Sequence, residues 1–131
     1  MRSILIAAIM LCAAPCLATE PTVTELMKDR AHRNAWDSVV PKRPLTKWWA
    51  HYSRTGWGVT EPVRTISIDG KAYRLGIVSE PRNILGSWII VIFAQGGKQA
   101  WGLMSVDGGT TVRWLGNPSQ TQRAALSAAR R

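Results

Sequence analysis

The run Ser87-Trp88-Ile89-Ile90-Val91-Ile92-Phe93-Ala94 is the most apolar stretch of the chain outside its extreme N-terminus. It is too short to cross a bilayer, which takes about 20 apolar residues as a helix. Its β-branched and aromatic content, with Gly86 before it and Gly96-Gly97 after it, predicts a strand. A half-exposed strand alternates apolar and polar residues. This one does not, so both its faces are expected to be covered, as befits the central strand of a small sheet.

The pattern on either side supplies the rest. Thr22-Val23-Thr24-Glu25 has the spacing of a capping box, and Val23, Met27, Ala31, Ala35 and Val39 recur every four residues behind it. That predicts one amphipathic helix over about 24–39, with Lys28, Asp29, His32, Arg33 and Asp37 on or near its solvent side, stopped by Pro41 and Pro44. From Lys42 to Pro62 the chain reads as irregular, punctuated by Pro44, Gly56, Gly58 and Pro62. Val63 to Ile68 turns at Asp69-Gly70 into Lys71 to Val78, a hairpin signal. The loop Ser79 to Gly86 feeds the central strand. Gly96-Gly97 then turns into Gln99 to Val106, and Asp107-Gly108-Gly109 into Thr110 to Leu115. Asn117-Pro118 opens a last helix over about 118–129, whose only large apolar residue, Leu126, predicts weak packing. The expected fold class is α+β: a five-stranded antiparallel meander flanked by an N-terminal and a C-terminal helix.

The N-terminus changes the picture of where this domain works. Met1-Arg2-Ser3, an apolar run from Ile4 to Leu11, and a small-residue exit through Ala18 form a secretory signal peptide. The expected division is therefore a leader over 1–18 and a single domain over 19–131, exported to the periplasm without a membrane anchor. Acylation of Cys16 is the rival reading; Pro15 just before it argues against that. Both cysteines leave with the leader, so the mature chain makes no disulfide, and its seven tryptophans must contribute heavily to packing. The full chain carries +9; losing Arg2 leaves 16 basic against 8 acidic side chains, or +8. That field attracts anionic partners. Export argues against nucleic acid and favours an acidic protein or an anionic envelope polymer. Arg123, Arg130 and Arg131 read as a solvated helix tail.

Catalytic chemistry finds little purchase. His32 and His51 are isolated, and no cysteine remains for a metal site, so neither a metal nor a cofactor is expected. Asp69 and Asp107 are explained by turns and Glu25 by its cap, which leaves Glu61 and Glu80 without partners for acid–base work. No catalytic residue is assigned, and the chain is not read as an enzyme. Trp48, Trp49, His51, Tyr52 and Trp57 suit either a sugar-stacking platform or lids that close one end of the core, the second being the simpler account.

The block Thr60-Glu61-Pro62-Val63-Arg64-Thr65-Ile66-Ser67-Ile68-Asp69-Gly70-Lys71-Ala72-Tyr73 resembles the strand-turn-strand of the Ivy family, the periplasmic inhibitors of vertebrate (C-type) lysozyme. So does Gly102-Leu103-Met104-Ser105 with Trp114-Leu115-Gly116-Asn117-Pro118. The N-terminal helix and the Leu45…Trp48 connection fit in order, so the resemblance spans about residues 22–118. It implies an antiparallel sheet flanked by helices, a homodimer, and a protein partner: a lysozyme, or a lytic transglycosylase of the cell itself. In that family a loop pinned by two cysteines carries a histidine into the enzyme's cleft, where it hydrogen-bonds the catalytic carboxylates. Anchored on Pro81, the matching stretch here is Ser79-Glu80-Pro81-Arg82-Asn83-Ile84-Leu85-Gly86-Ser87. Ser79 stands at the first cysteine, Ile84 or Leu85 at the second, and Arg82 at the histidine.

The resemblance thus assigns target binding to Ser79, Glu80, Pro81, Arg82, Asn83, Ile84 and Leu85. A guanidinium at position 82 can form a charge-assisted pair with a carboxylate. The plain alternative is a solvated loop residue whose charge Glu80 offsets. Without the staple, Ile84 and Leu85 are expected to tuck the loop into the core. The competing function is a non-inhibitory relative that binds an anionic cell-wall polymer through its basic, tryptophan-rich surface.

Overall fold

The structure, a computed structural model, describes residues 19–41, 47–105 and 111–130. Among these, six antiparallel strands form one sheet: β1 (Val59–Thr60), β2 (Arg64–Ile68), β3 (Lys71–Ser79), β4 (Trp88–Ala94), β5 (Ala100–Ser105) and β6 (Val112–Leu115). The order is β1-β3-β4-β5-β6, with β2 also on β3. Beyond the five expected strands, β1 pairs Val59 with Ser79 and Thr60 with Val78. β1 and β2 are one edge interrupted at Pro62, which has no N–H to give a ladder. There Pro62 bridges Thr22 instead, and the Val63 amide donates to the Pro21 carbonyl at 2.8 Å. The expected turn at 107–109 lies outside the described residues.

β4 is buried from Trp88 to Phe93. Its odd residues, Ile89, Val91 and Phe93, join Val78 and Met104 in a core closed by Val23, Leu26, Trp36, Trp49 and Tyr52. Its even residues, Trp88, Ile90 and Ile92, join Leu75, Leu103 and Leu126 in a second core. The uniform apolar run thus serves two interiors, as its lack of alternation requires.

The N-terminal helix is two pieces, α1 (Val23–Leu26) and α2 (Arg30–Val39). The Thr22–Glu25 capping box forms at the start of α1. The break is at Asp29, whose carboxylate accepts from the His32 amide and so starts a new helix rather than continuing the old one. The restart rephases the stripe: Ala31 is exposed, while His32, Ala35 and Trp36 are buried. His32 is therefore not the solvated residue expected. Its ring lies edge-on to Phe93, with centroids 5.2 Å apart, and Nδ1 is 2.6 Å from Asp29 Oδ2. That bond holds the Asp29 carboxyl below its ordinary range.

The stretch expected to be irregular contains a helix, α3 (Lys47–Thr55). Nothing from Lys47 to Thr55 is Gly or Pro, and the i, i+4 pair Trp48 and Tyr52 stacks at 5.6 Å. The last helix, α4 (Gln120–Ala129), is capped by Ser119 with Gln122, two residues after the expected Asn117-Pro118 start. It does not pack weakly. Leu126 is fully buried, Ala125 and Ala129 lie against the second core, and Thr121 Oγ1 donates to Asp69 Oδ2 at 2.6 Å. Nor are its arginines simply a solvated tail: Arg123 lies over the Trp114 ring at 5.0 Å and Arg130 over Trp88 at 5.2 Å.

α1 meets β3 closely at Gly76, where an added Cβ would lie 2.2 Å from Val23 Cγ2. Val23 is itself fully buried and has nowhere to retreat. Gly76→Ala is accordingly expected to cost about 1–3 kcal/mol through overpacking, read as a lower urea midpoint at unchanged slope.

Candidate functional site: the loop between strands β3 and β4

The loop is built as two successive reverse turns on a fixed base. At the base, the Glu80 amide donates to the Ser87 carbonyl at 2.9 Å. In the first turn the Asn83 amide donates to the Glu80 carbonyl at 3.1 Å, with Pro81 and Arg82 in the two central positions. Pro81 is suited to the first of these, since its ring presets φ. Arg82 takes the second with φ +66°, a left-handed conformation for which glycine is the ordinary choice. In the second turn the Asn83 carbonyl accepts from the Gly86 amide at 3.2 Å and the Ser87 amide at 2.9 Å.

The body of the protein holds this base from below. The Trp49 indole Nε1 donates to the hydroxyl of Ser87, which is fully buried, at 3.1 Å. The Ser105 hydroxyl donates to the Gly86 carbonyl at 3.2 Å. These two bonds reach the loop from α3 and β5, across 38 and 19 residues of chain. They tie down its return arm in the absence of any cysteine among the described residues.

Each candidate residue finds a definite place. Ser79 ends β3 and is buried; Glu80 and Pro81 are half-buried; Arg82, Asn83, Ile84 and Leu85 are exposed. Ile84 and Leu85 do not tuck into the core. They are 53% and 87% exposed, because the second turn ends at Gly86 and only the chain beyond it goes inward. Arg82 forms no ion pair or hydrogen bond among the described residues, and Glu80 does not neutralise it. An unpartnered guanidinium in solvent, set by a strained turn, is a group free to meet a carboxylate on another molecule.

The aromatic candidates divide differently. Trp49 and Tyr52 are buried, so they cannot form an exposed stacking platform; with half-buried Trp48 they close the core over α1 and α2. Tyr52 shares a hydrogen bond with Thr24 Oγ1 at 3.1 Å. Burial pushes its phenol up to about 12, against smaller opposing effects of that bond and of Arg33. Trp57, 61% exposed, faces outward, with His51 edge-on at 5.9 Å.

One feature of the site was not legible in the sequence. Beside the loop, Ile77, Trp88 and Ile90 help line an open groove of about 630 Å³, with Ile84 and Leu85 on its margin. Its walls come from four separate elements, so no local pattern announces it. No group of three or more His, Cys, Asp or Glu side chains able to hold a metal occurs among the described residues. No helix among them is long and apolar enough to cross a membrane.

No family model matches the chain. It is similar to an uncharacterized protein of Yersinia pestis, 26% identical over 123 residues that cover 86% of this chain and 78% of that protein.

Because the left-handed conformation at residue 82 favours glycine, Arg82→Gly should be more stable than Arg82→Ala by about 1 kcal/mol, compared by urea midpoints. Tyr52 gives a pH test. Folded, its phenol keeps its proton to about pH 12, while in the unfolded chain it ionises near 10. Its contribution is intact below about pH 10 and declines as pH rises toward 12, by about 2–3 kcal/mol in full. Tyr52→Phe is expected to show a shallower loss of urea midpoint than wild type between about pH 9 and 11.5.

Proposed function

We propose that this chain is an exported, Ivy-like inhibitor of a lysozyme-type cell-wall glycosidase, and not itself an enzyme. In this reading the loop 79–87 enters the target's acidic cleft and Arg82 pairs with a carboxylate there. The observation that carries it is the unpartnered Arg82, exposed in a left-handed turn whose base is held by Trp49 and Ser105. Strain is retained at positions where the surroundings over-determine it, and such positions gather at functional contacts. Holding the base in advance also lowers the ordering cost that a free loop bears on binding, about 0.5–1.5 kcal/mol per immobilised side chain.

Two further points support a protein partner over a glycan. Ile84 and Leu85 present aliphatic surface at the loop tip, which suits an apolar contact rather than sugar stacking. The burial of Trp49 and Tyr52 takes two of the five candidate aromatic and histidine side chains away from the polymer-binding alternative. The charge of +9 on the full chain narrows the target. C-type lysozymes are typically basic, and bodies of like charge repel. A less basic lysozyme, or the cell's own lytic transglycosylase, is the better match.

The test is a peptidoglycan-clearing assay with a purified acidic lysozyme and a purified lytic transglycosylase, with and without the mature protein. Inhibition of at least one is expected. Arg82→Ala should weaken it about 10- to 100-fold, the worth of a charged hydrogen bond, while exposed Lys98→Ala changes it less than about twofold. Equal inhibition by both variants overturns the role of Arg82. Binding to purified peptidoglycan that collapses with salt, with no inhibition of either enzyme, selects the polymer reading instead.

A further inference from the structure

The two faces of the sheet are covered unequally. One carries α1, α2 and α3; the other carries the ten-residue α4. Register places Arg64 on the face of Leu75, Ile77 beside Ile90, and Ser79 beside Trp88, so all of these look toward the side that α4 crosses. α4 covers this face near Leu103 and Ile92 through Leu126, and ends at Ala129. The remainder, between the end of α4 and the β3–β4 loop, is the groove of about 630 Å³.

Its chemistry is mixed in a particular way. The floor is apolar: Ile77 is half-buried, Trp88 and Ile90 lie buried beneath it, and Leu85 at the margin is almost wholly exposed. The rim is cationic, from Arg64 and Arg130, against the lone carboxylate of Glu61. Neither arginine has a carboxylate partner among the described residues; Arg130 rests on the Trp88 ring at 5.2 Å. A free phosphate or a sugar acid would use the rim and leave the floor wet. A neutral apolar segment would use the floor and leave two cations unpaired.

We propose that this groove docks an extended acidic segment of polypeptide, with an aliphatic side chain seated on Ile77 beside the exposed Leu85 and flanking carboxylates on Arg64 and Arg130. Placing that segment on the enzyme that receives Arg82 rests on the inhibitor reading above. The groove would then be a second contact on the same partner, bordered by the loop's Ile84 and Leu85 and distinct from Arg82. A buried apolar anchor ringed by charge pairs gives affinity at the centre and choice of partner at the rim.

The probe is a fluorescein-labelled peptide Glu-Leu-Glu-Leu-Glu-Leu, read by anisotropy against the mature protein. Its twins are Glu-Ser-Glu-Ser-Glu-Ser, which lacks the anchor, and Lys-Leu-Lys-Leu-Lys-Leu, which reverses the charge. The first is expected to bind at least about tenfold tighter than either twin, and to weaken with salt. The double variant Arg64→Gln/Arg130→Gln should weaken it at least about fivefold and Leu85→Ser about threefold, all three sites being exposed and safe for folding. Lys98→Ala should change it less than about twofold, since exposed Lys98 is not on the groove wall. Equal binding of the three peptides, or wild-type binding by the double variant, overturns the groove. The clearing assay separates the two ideas. If Arg82→Ala abolishes inhibition while the double variant inhibits like wild type, the groove fails as a second contact and the loop reading stands. If the peptide binds as expected but Arg82→Ala inhibits like wild type, the groove stands and the loop reading falls.

Discussion

A strand without a polar side chain on either face cannot rest at a surface, and β4 is such a strand. Fully burying an aliphatic or aromatic side chain is worth about 1.5–3 kcal/mol, so the six buried residues from Trp88 to Phe93 dominate any account of what the chain gains by folding. The requirement is double. Ile89, Val91 and Phe93 need one cover, Trp88, Ile90 and Ile92 another, and the chain supplies them from opposite ends of its sequence. The helices α1, α2 and α3 make the first. The last helix makes the second, thin cover, and the sheet beyond its end is left open.

The burial of β4 also explains why the loop before it is anchored at its base. The chain must enter β4 at a buried residue, so Ser87 has to be inside, and its hydroxyl needs a partner there. Trp49 supplies it, and Trp49 is also part of the lid on the first core. One indole thus serves the packing of α3 and the anchoring of the loop. A disulfide across the loop would mainly restrict the unfolded chain. Hydrogen bonds from α3 and β5 instead restrict the loop only when the core is assembled. Local opening of that core would loosen the tip before the sheet itself unfolds.

Much of the sheet was legible because its signals are local. The Asp69-Gly70 turn and the unbroken run in β4 each depend on neighbours in sequence, and each appears where expected. The helices were less so. A four-residue repeat from Val23 to Val39 conceals the restart at Asp29, since a carboxylate that caps one helix looks, in a periodic reading, like a solvent-facing member of another. Around Lys47–Thr55, the punctuation by Pro44, Gly56, Gly58 and Pro62 suggested an irregular stretch, although Trp48 and Tyr52 at i, i+4 and the lack of Gly or Pro between Lys47 and Thr55 already fitted a helix. The position of the loop was legible; its geometry was not. Nothing around Arg82 announces a positive φ, because that angle follows from Pro81 before it and from the closure of two turns after it. The groove was beyond reach for a different reason. Arg64, Ile77, Trp88 and Arg130 are up to 66 residues apart and meet only through the strand order and the length of α4.

The open part of the sheet and the strained turn lie side by side, and that adjacency bears on specificity. A single exposed guanidinium is a weak discriminator: it pairs with any accessible carboxylate, and at the surface such a pair contributes about 0–1 kcal/mol. Its value rises when neighbouring contacts exclude water and fix its approach, because the same charges then interact in a lower dielectric. On this molecule the surface able to do that is the apolar floor beside the loop, since the aromatic cluster of α3 is committed to the core. A partner that covered Ile77 and Leu85 would also dry the space under the loop and hold its acidic groups at fixed distance from Arg82. Under the proposed inhibitor role, affinity and choice of target therefore reside in different places. The arginine supplies a charge that many enzymes accept, and the unfinished face of the sheet decides which of them can come close enough to use it.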